Sequence, residues 1–582
     1  MQHGAKLARP CEGVNAKSNG PLARGAGRVK SAGMKQTGAR HLIDALIAQG
    51  CNRIFCVPGE SYLAALDALA DRKDAIELIV CRHEASAANM AEAHGKLTGR
   101  PGVCFVTRGP GATQAAVGVH TAQQDSTPML LLVGQVRRED EGREAFQELD
   151  YNKAFDGIAK LGFEIRDAAR VPEQMMRAYA AATNGRPGPV VVAFPEDMLR
   201  DEVDAEPAAA LVEARSEVSD ETAREVAEAL SAAEKPLVMV GGPGWSHESA
   251  KALHGLAEAF DVPVISAFRA KQIMDNTHSH YVGEAGIGCN PELIARMREC
   301  DLLLVIGARL GEMTTQSYDL FETPGGAADK LIHVHPGGEE LGRVYRPKLA
   351  ITARPSAFIA ALGNFAPQPS DESEWRTAAR ADYEKWIAPV PVTGDLNPSE
   401  IYAMLSEKLG HEAVLTNGAG NFAAWLHRFY QHRCFPSQLA PTSGAMGYGV
   451  PAAIAAKLEY PDRPVIGVAG DGDFMMAVAE LATAVRYGVN VVFLVFDNGT
   501  YGTIRMHQAK TYPGRVSGTE LTNPDFKAMA ESFGAAGFRV RTTKDFEAAF
   551  DKALGCGKPA LIHIIQSLED IAPGKRLSEM ES

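Results

Sequence analysis

No stretch of this 582-residue chain approaches the ~18 consecutive apolar residues that a membrane-crossing helix needs, so no such helix is expected. The chain also lacks a basic excess. Its net charge is −13, and seven of its 59 Lys/Arg but only one of its 72 Asp/Glu lie in the first 36 residues, which leaves 52 basic against 71 acidic residues in the remainder. A surface of that sign repels phosphate backbones and anionic lipid, so neither nucleic acid nor membrane is an expected partner. The nine cysteines include no C-x-x-C pair and no zinc spacing. Most, such as Cys81 and Cys104, sit inside apolar runs as buried reduced thiols do, which points to a cytoplasmic protein. The start has no apolar segment of the kind that opens a secretion signal. Residues 1–34 are rich in Gly, Ala and Lys/Arg without periodicity and read as a disordered leader. A transit peptide is one alternative. A non-native leader or early start codon, with Met34 opening the folded part, is the preferred one.

What is present is regular. From Thr37 onward, short apolar runs alternate with helical patterns, which implies parallel sheets covered on both faces. Residues 39–49 read as helix, 54–57 as strand, 76–81 as strand and 84–98 as helix. Strands follow at 103–107, 129–133 and 190–193, with a tight turn at Gly109-Pro110-Gly111-Ala112. An acidic, Ala-rich stretch at 201–218 reads as a linker. A second α/β unit spans 219–365, with strands at 237–240, 264–266, 302–306 and 331–334. Residues 366–397 read as a second linker, and a third unit spans 398–582. The expectation is three doubly wound α/β domains, at 35–205, 219–365 and 398–582.

The third unit carries the most informative stretch, residues 464–505. An apolar run, Val465 to Ala469, ends in Gly470-Asp471-Gly472-Asp473. A helical pattern from Phe474 to Tyr487 follows. A second run, Val491 to Phe496, ends in Asp497-Asn498-Gly499-Thr500. This is a βαβ unit with parallel strands, and ligands of such sheets bind beyond the carboxyl ends of the strands. Adjacent strands lie about 4.8 Å apart, so Asp471 and Asn498 can share one small cation. Oxygen-only ligation by few protein groups suits Mg²⁺ bridging to a phosphorylated ligand.

The stretch resembles the thiamine-diphosphate (ThDP) motif. Further motifs narrow the resemblance to the acetolactate-synthase-like branch of ThDP enzymes. They are Glu84 after Cys81-Arg82-His83, then Thr107-Arg108-Gly109-Pro110-Gly111-Ala112-Thr113, Asp125-Ser126-Thr127-Pro128-Met129, Ala145-Phe146-Gln147-Glu148 and Ser443-Gly444-Ala445-Met446-Gly447. They run in collinear order from about Met34 to the C-terminus.

The resemblance implies that Asp471, Asn498 and the Thr500 carbonyl hold Mg²⁺ on the diphosphate. It implies that Glu84 shares a proton with N1′ of the cofactor pyrimidine, from an apolar pocket that raises its pKa. The Gly444 carbonyl would accept from the 4′-amino group, and Met446 would wedge between the two rings. Gly470, Gly472, Asp473 and Tyr501 are counted as cofactor contacts, with Gly420, Asn421 and Phe422 as further diphosphate contacts. Gly59, Gln147 and Lys160 match positions on the substrate side, and Gln123 and Gln124 suggest a more polar pocket there. His83 and His120 are acid/base candidates, for each of which a packed, hydrogen-bonded histidine is an equal alternative.

Departures from the family pattern fall on the substrate and on flavin. Thr503 and His507 stand where acetolactate synthases carry a Met and a Trp that select the acceptor. Gly307-Ala308-Arg309-Leu310-Gly311-Glu312 and His333-Val334-His335-Pro336 replace acidic patterns of FAD-bearing relatives, so FAD is not expected. Gly241-Gly242-Pro243-Gly244 reads equally as a nucleotide turn or as a βα turn without ligand. The implied activity is ThDP- and Mg²⁺-dependent decarboxylation of a 2-oxo acid, forming a C2 carbanion that attacks a carbonyl or takes a proton. Small 2-oxo acids or aldehydes are the implied partners, in a homodimer or homotetramer. The alternatives are a ThDP-dependent C–C lyase or diketone hydrolase, and a ThDP-binding paralogue without turnover.

Overall fold

The computed structural model describes residues 35–368 and 372–581. The leader expected at 1–34 lies outside the described residues. The described chain forms three lobes, each built on a six-stranded parallel sheet with helices on both faces. Runs of Val, Ile and Leu make the central strands, and these are buried along their length, as a sheet covered on both sides requires.

In the first lobe the strand order is Glu77–Val80, Arg53–Cys56, Gly102–Val106, Met129–Gln135, Pro189–Pro195, Leu161–Glu164. Helix Glu84–Thr98 starts just past the Glu77–Val80 edge strand. His83 caps its first turn, and Gly99, with φ of 69°, ends it. Helix Pro110–Asp125 starts at the carboxyl end of Gly102–Val106, with proline at its first position. A two-stranded antiparallel pair, Gln36–Thr37 with Glu202–Val203, closes the lobe. In the third lobe the order is Gln438–Leu439, Val414–Asn417, Val465–Gly470, Val492–Asp497, Ala560–Ile565, Ala536–Val540. The fold class expected from the alternation is the one observed.

Two local expectations are corrected, and two edge strands are added. The pattern at 474–487 is not one helix starting near Phe474. A five-residue helix, Asp471–Met475, is followed by a 3₁₀ turn, Val478–Glu480, and a second helix, Leu481–Arg486. The break falls at Ala477 (φ −129°, ψ 14°), where the chain turns to dock on the first lobe. Residues 366–397 are not simply a linker. Helix Glu374–Ile387 lies against the middle lobe, where Arg376 pairs with Asp261 at 2.9 Å and the Trp375 indole donates to the Pro236 carbonyl at 2.9 Å. Its charge-rich sequence concealed a single buried stripe. The edge strands Leu161–Glu164 and Leu349–Thr352, partly exposed and short, were also not anticipated.

Candidate active site

Val465–Gly470 and Val492–Asp497 pair side by side, with Gly470 opposite Phe496. Asp471 and Asn498 therefore leave the sheet next to each other. At this end lies a cavity of about 220 Å³. Its lining brings together Gly420, Asn421, Phe422, Gly444, Met446, Gly470, Asp471, Gly472, Asp473, Asn498, Thr500, Tyr501 and Thr503. Gln566 and Ile571 also line it and were not anticipated, because nothing in their local sequence marks them.

Asp471 is 3% exposed. Its carboxylate accepts the N–H of Gly472 and of Gly499, each at 2.9 Å, and the Asn523 amide at 2.7 Å. The same Asn523 amide reaches Asp497 at 2.8 Å and so ties two carboxylates together. Burial, with Asp497 close by, pushes the Asp471 carboxyl up to about 6. Asp473 accepts the Gly447 N–H at 2.9 Å and the Ala419 N–H at 3.2 Å. Its second oxygen has no hydrogen-bond partner among the described residues, and burial pushes this carboxyl up to about 7. Neither carboxylate forms an ion pair with Lys or Arg among the described residues.

Two buried carboxylates without a counter-cation fit a bound cation, which would offset their desolvation. Among the described residues no group of three or more His, Cys, Asp or Glu is placed to hold a metal. The donor set available here is instead one carboxylate, one amide oxygen and one carbonyl. That set suits a hard cation that completes its shell with phosphate and water.

The loop bearing Gly444 and Met446 is held from several sides. Asp125 of the first lobe accepts the Thr442 N–H at 2.8 Å, Thr121 bonds Ser443 at 3.2 Å, and Arg269 of the middle lobe donates to the Pro441 carbonyl. A larger cavity of about 630 Å³ adjoins, sharing Gly420, Asn421, Gly444 and Thr503 and lined also by His120, Gln124, Arg269 and Arg309.

Glu84 is not part of this lining. It opens helix Glu84–Thr98 at the carboxyl end of the first sheet, half-buried beside Gly111, where an added methyl would lie 3.5 Å from its Oε1. Gly59 and Gln147 cluster with it. A methyl on Gly59 would strike Thr107 at 2.3 Å, and one on Gly109 would strike the Gln147 carbonyl at 2.7 Å. His83 is spent as a cap, its Nδ1 accepting the Ala85 N–H at 3.1 Å.

Three of the substrate-side candidates lie outside the 220 Å³ cavity of this chain. Lys160 lies at the amino end of Leu161–Glu164, and its amine donates to the Asn184 and Arg186 carbonyls at 2.6 and 2.7 Å. Gln123 lies beside it near Gly188. His507 is exposed and outside the cavity, although it shares the Gly502–Thr511 helix with Thr503.

In the middle lobe the glycine turn packs closely on protein along one side, while Gly242, Pro243 and Gly244 also line open cavities. A methyl on Gly242 would lie 1.8 Å from the Gly307 carbonyl oxygen, and the Trp245 indole donates to Gly241 at 2.9 Å. Close backbone packing accounts for these glycines. Arg309 is engaged by Glu340 at 3.2 Å and by the Gln124 carbonyl at 3.1 Å.

Three family profiles match the lobes in order: the thiamine pyrophosphate enzyme N-terminal TPP binding domain over residues 36–154, the central domain over 223–362, and the C-terminal TPP binding domain over 418–564. The chain is 31% identical to the acetolactate synthase isozyme 2 large subunit of Escherichia coli, over 93% of this chain and 99% of that protein. It is 31% identical to the acetolactate synthase large subunit of Parasynechococcus marenigrum (94% and 90% covered) and to the probable acetolactate synthase large subunit of Methanocaldococcus jannaschii (93% and 95%). The chain belongs to the acetolactate-synthase-like thiamine diphosphate enzymes. The 220 Å³ cavity of this ThDP enzyme lies within the matched C-terminal TPP binding domain and its flank, and Glu84 lies within the matched N-terminal one.

Proposed function

We propose that the protein is a ThDP- and Mg²⁺-dependent carboligase that decarboxylates a 2-oxo acid and joins the retained fragment to a second carbonyl compound. Asp471, Asn498 and the Thr500 carbonyl would hold Mg²⁺ against the diphosphate. The Gly444 carbonyl and the Met446 side chain would orient the cofactor rings. The bound cofactor supplies the electron sink for C–C cleavage and formation. Glu84 would share and return a proton at N1′ of the pyrimidine.

One observation carries this reading. The residues suited to metal and diphosphate converge on one cavity, and that cavity holds no residue of the first lobe. Glu84 of the same chain stands elsewhere, so a complete site takes the third lobe of one copy and the first lobe of another. The protein is on this reading at least a homodimer, or a homotetramer built from two. Exposed apolar side chains such as Phe146 (74%), Met476 (55%) and Ile504 (54%) are in keeping with a face that a second copy covers. FAD is not part of the proposed cofactor set, because the acidic patterns of flavin-bearing relatives are replaced at residues 307–312 and 333–336.

The test is product analysis after loading with ThDP and Mg²⁺ and supplying a panel of 2-oxo acids and aldehydes. Release of CO₂ with formation of a hydroxy-ketone product, dependent on both additions, is expected. Full cofactor loading with no 2-oxo acid consumed would refute the proposal.

A further inference from the structure

Glu480 is a fully buried carboxylate that the cofactor cavity does not use. It ends the 3₁₀ turn Val478–Glu480, just beyond the Asp-Gly-Asp helix, and it points into the first lobe. Its Oε1 accepts the backbone N–H groups of Arg82 and His83, both at 3.1 Å, and its Oε2 accepts the Thr483 hydroxyl at 2.5 Å. Arg82 and His83 are the two residues that immediately precede Glu84, the first residue of its helix.

A second contact comes from the same segment. The Tyr487 hydroxyl accepts the Val80 N–H at 2.8 Å and donates to the Leu78 carbonyl at 3.2 Å. Both groups belong to Glu77–Val80, the edge strand whose outer side pairs with no further strand among the described residues. One short segment of the third lobe thus satisfies the backbone of the strand end and of the loop that leads into Glu84.

The physics favours a strict geometry here. Carboxylate-to-amide hydrogen bonds are among the stronger ones. Taking away the acceptor would leave two N–H groups beside buried surface without a partner, which proteins avoid. The direction of the Glu84 side chain follows from the backbone of Arg82 and His83, because His83 is the helix cap. A group that transfers a proton must be held to within about 0.5 Å of its productive position.

We propose that Glu480 is a positioning residue: it fixes the Arg82–His83 backbone and thereby aims the Glu84 carboxyl. The proposal rests on the reading of Glu84 given above. Among the described residues Glu480 hydrogen-bonds Arg82, His83 and Thr483 and does not line the metal cavity, so its loss separates aiming from binding.

The experiment uses the full-length protein and three variants, Glu480→Ala, Glu480→Gln and Tyr487→Phe. In the cofactor-free protein, amide hydrogen exchange over residues 80–86 is expected to speed up at least ~10-fold in Glu480→Ala, as loss of a charge-assisted acceptor implies. Calorimetry should find Mg²⁺–ThDP affinity within about 3-fold of the wild type. Exchange of the C2 proton of bound ThDP should slow at least ~10-fold, and Glu480→Gln, which keeps one acceptor oxygen, should recover part of it. Tyr487→Phe should loosen the strand edge with a smaller effect on C2 exchange. Wild-type C2 exchange in Glu480→Ala, or a fall in cofactor affinity as large as the fall in exchange, would overturn the proposal. Should Glu480→Ala not fold, the Gln variant decides: lost protection at residues 82–83 with unchanged C2 exchange overturns it. Failure of wild-type protein to bind ThDP would strike the functional reading instead, and the cofactor-free exchange arm keeps the two apart.

Discussion

The Gly499 N–H donates to the Asp471 carboxylate at 2.9 Å. These residues stand past the ends of two different strands, and the bond draws the Asp-Gly-Asp turn and the Asp-Asn-Gly-Thr turn into one oxygen-lined corner. Asn523 further ties this corner together by bridging Asp471 to Asp497. Asp471→Ala removes the single carboxylate of the proposed metal set and leaves the diphosphate without its cation. Mg²⁺–ThDP affinity should fall by at least ~100-fold, beyond the 10–100-fold typical of outer-shell substitutions. Calorimetry with ThDP and Mg²⁺ reads this directly, and wild-type affinity in the variant would remove Asp471 from the site.

The middle lobe leads to a second expectation. Gly242 and Gly307 pack backbone against backbone, and the acidic patterns of flavin-bearing relatives are replaced by Arg309 and His333. Purified protein should be colourless. Flavin absorbance equivalent to one per subunit would contradict this.

The acceptor side gives a third. The Thr503 hydroxyl bonds the Asn421 amide oxygen at 2.9 Å, so a polar pair stands where an apolar wall would favour a longer acceptor. A hydrophobic pocket earns about 1–3 kcal/mol per methylene. Without that wall, competition between pyruvate and 2-oxobutyrate as acceptors should stay within about tenfold. A strong bias toward 2-oxobutyrate would show that another apolar surface does the selecting.

Stability should respond to pH through the middle lobe. His335 is buried in the Leu331–His335 strand, its Nδ1 taking the Gly337 N–H at 3.0 Å, and burial pushes its imidazole down to about 4 from 6.5. Between these values the unfolded chain binds a proton that the folded chain does not. Stability therefore falls as pH drops from about 6.5 to 4, by up to about 3 kcal/mol from this group alone. Buried His333 shifts in the same direction. His335→Asn keeps an acceptor for the Gly337 N–H and has no proton to gain. Denaturant midpoints between pH 4 and 7 should vary less in the variant, and an unchanged pH profile would contradict the assignment.

The sequence made the βαβ core of the third lobe legible because Val465–Gly470 and Val492–Asp497 are apolar runs closed by turn residues. The resemblance, residue by residue, then named 13 of the 19 residues that line the cavity. What stayed hidden depends on distant partners. The break at Ala477 follows from docking Glu480 on Arg82 and His83, and local propensity favours an unbroken helix there. Asn523 bridges two carboxylates from a loop with no periodic signal. Helix Glu374–Ile387 was concealed by its charges, since a single buried stripe with Arg376 and Tyr383 suffices to hold it. The side chain of Lys160 matched by position, but the structure spends its amine on two carbonyls.

The central claim is that Glu84 activates the cofactor without helping to bind it. Glu84 opens its helix in the first lobe and lies outside the metal cavity of its own chain. Glu84→Gln keeps size and hydrogen-bonding capacity but cannot exchange a proton. Mg²⁺–ThDP affinity should change little, while exchange of the thiazolium C2 proton should slow by at least ~10²-fold, the low end of a positioned acid–base contribution. The measurement is quenched-flow deuterium exchange at C2, read by NMR, on wild type and Glu84→Gln at equal cofactor occupancy. Binding kept with exchange lost is the predicted result, and an unchanged exchange rate in the variant would contradict the account.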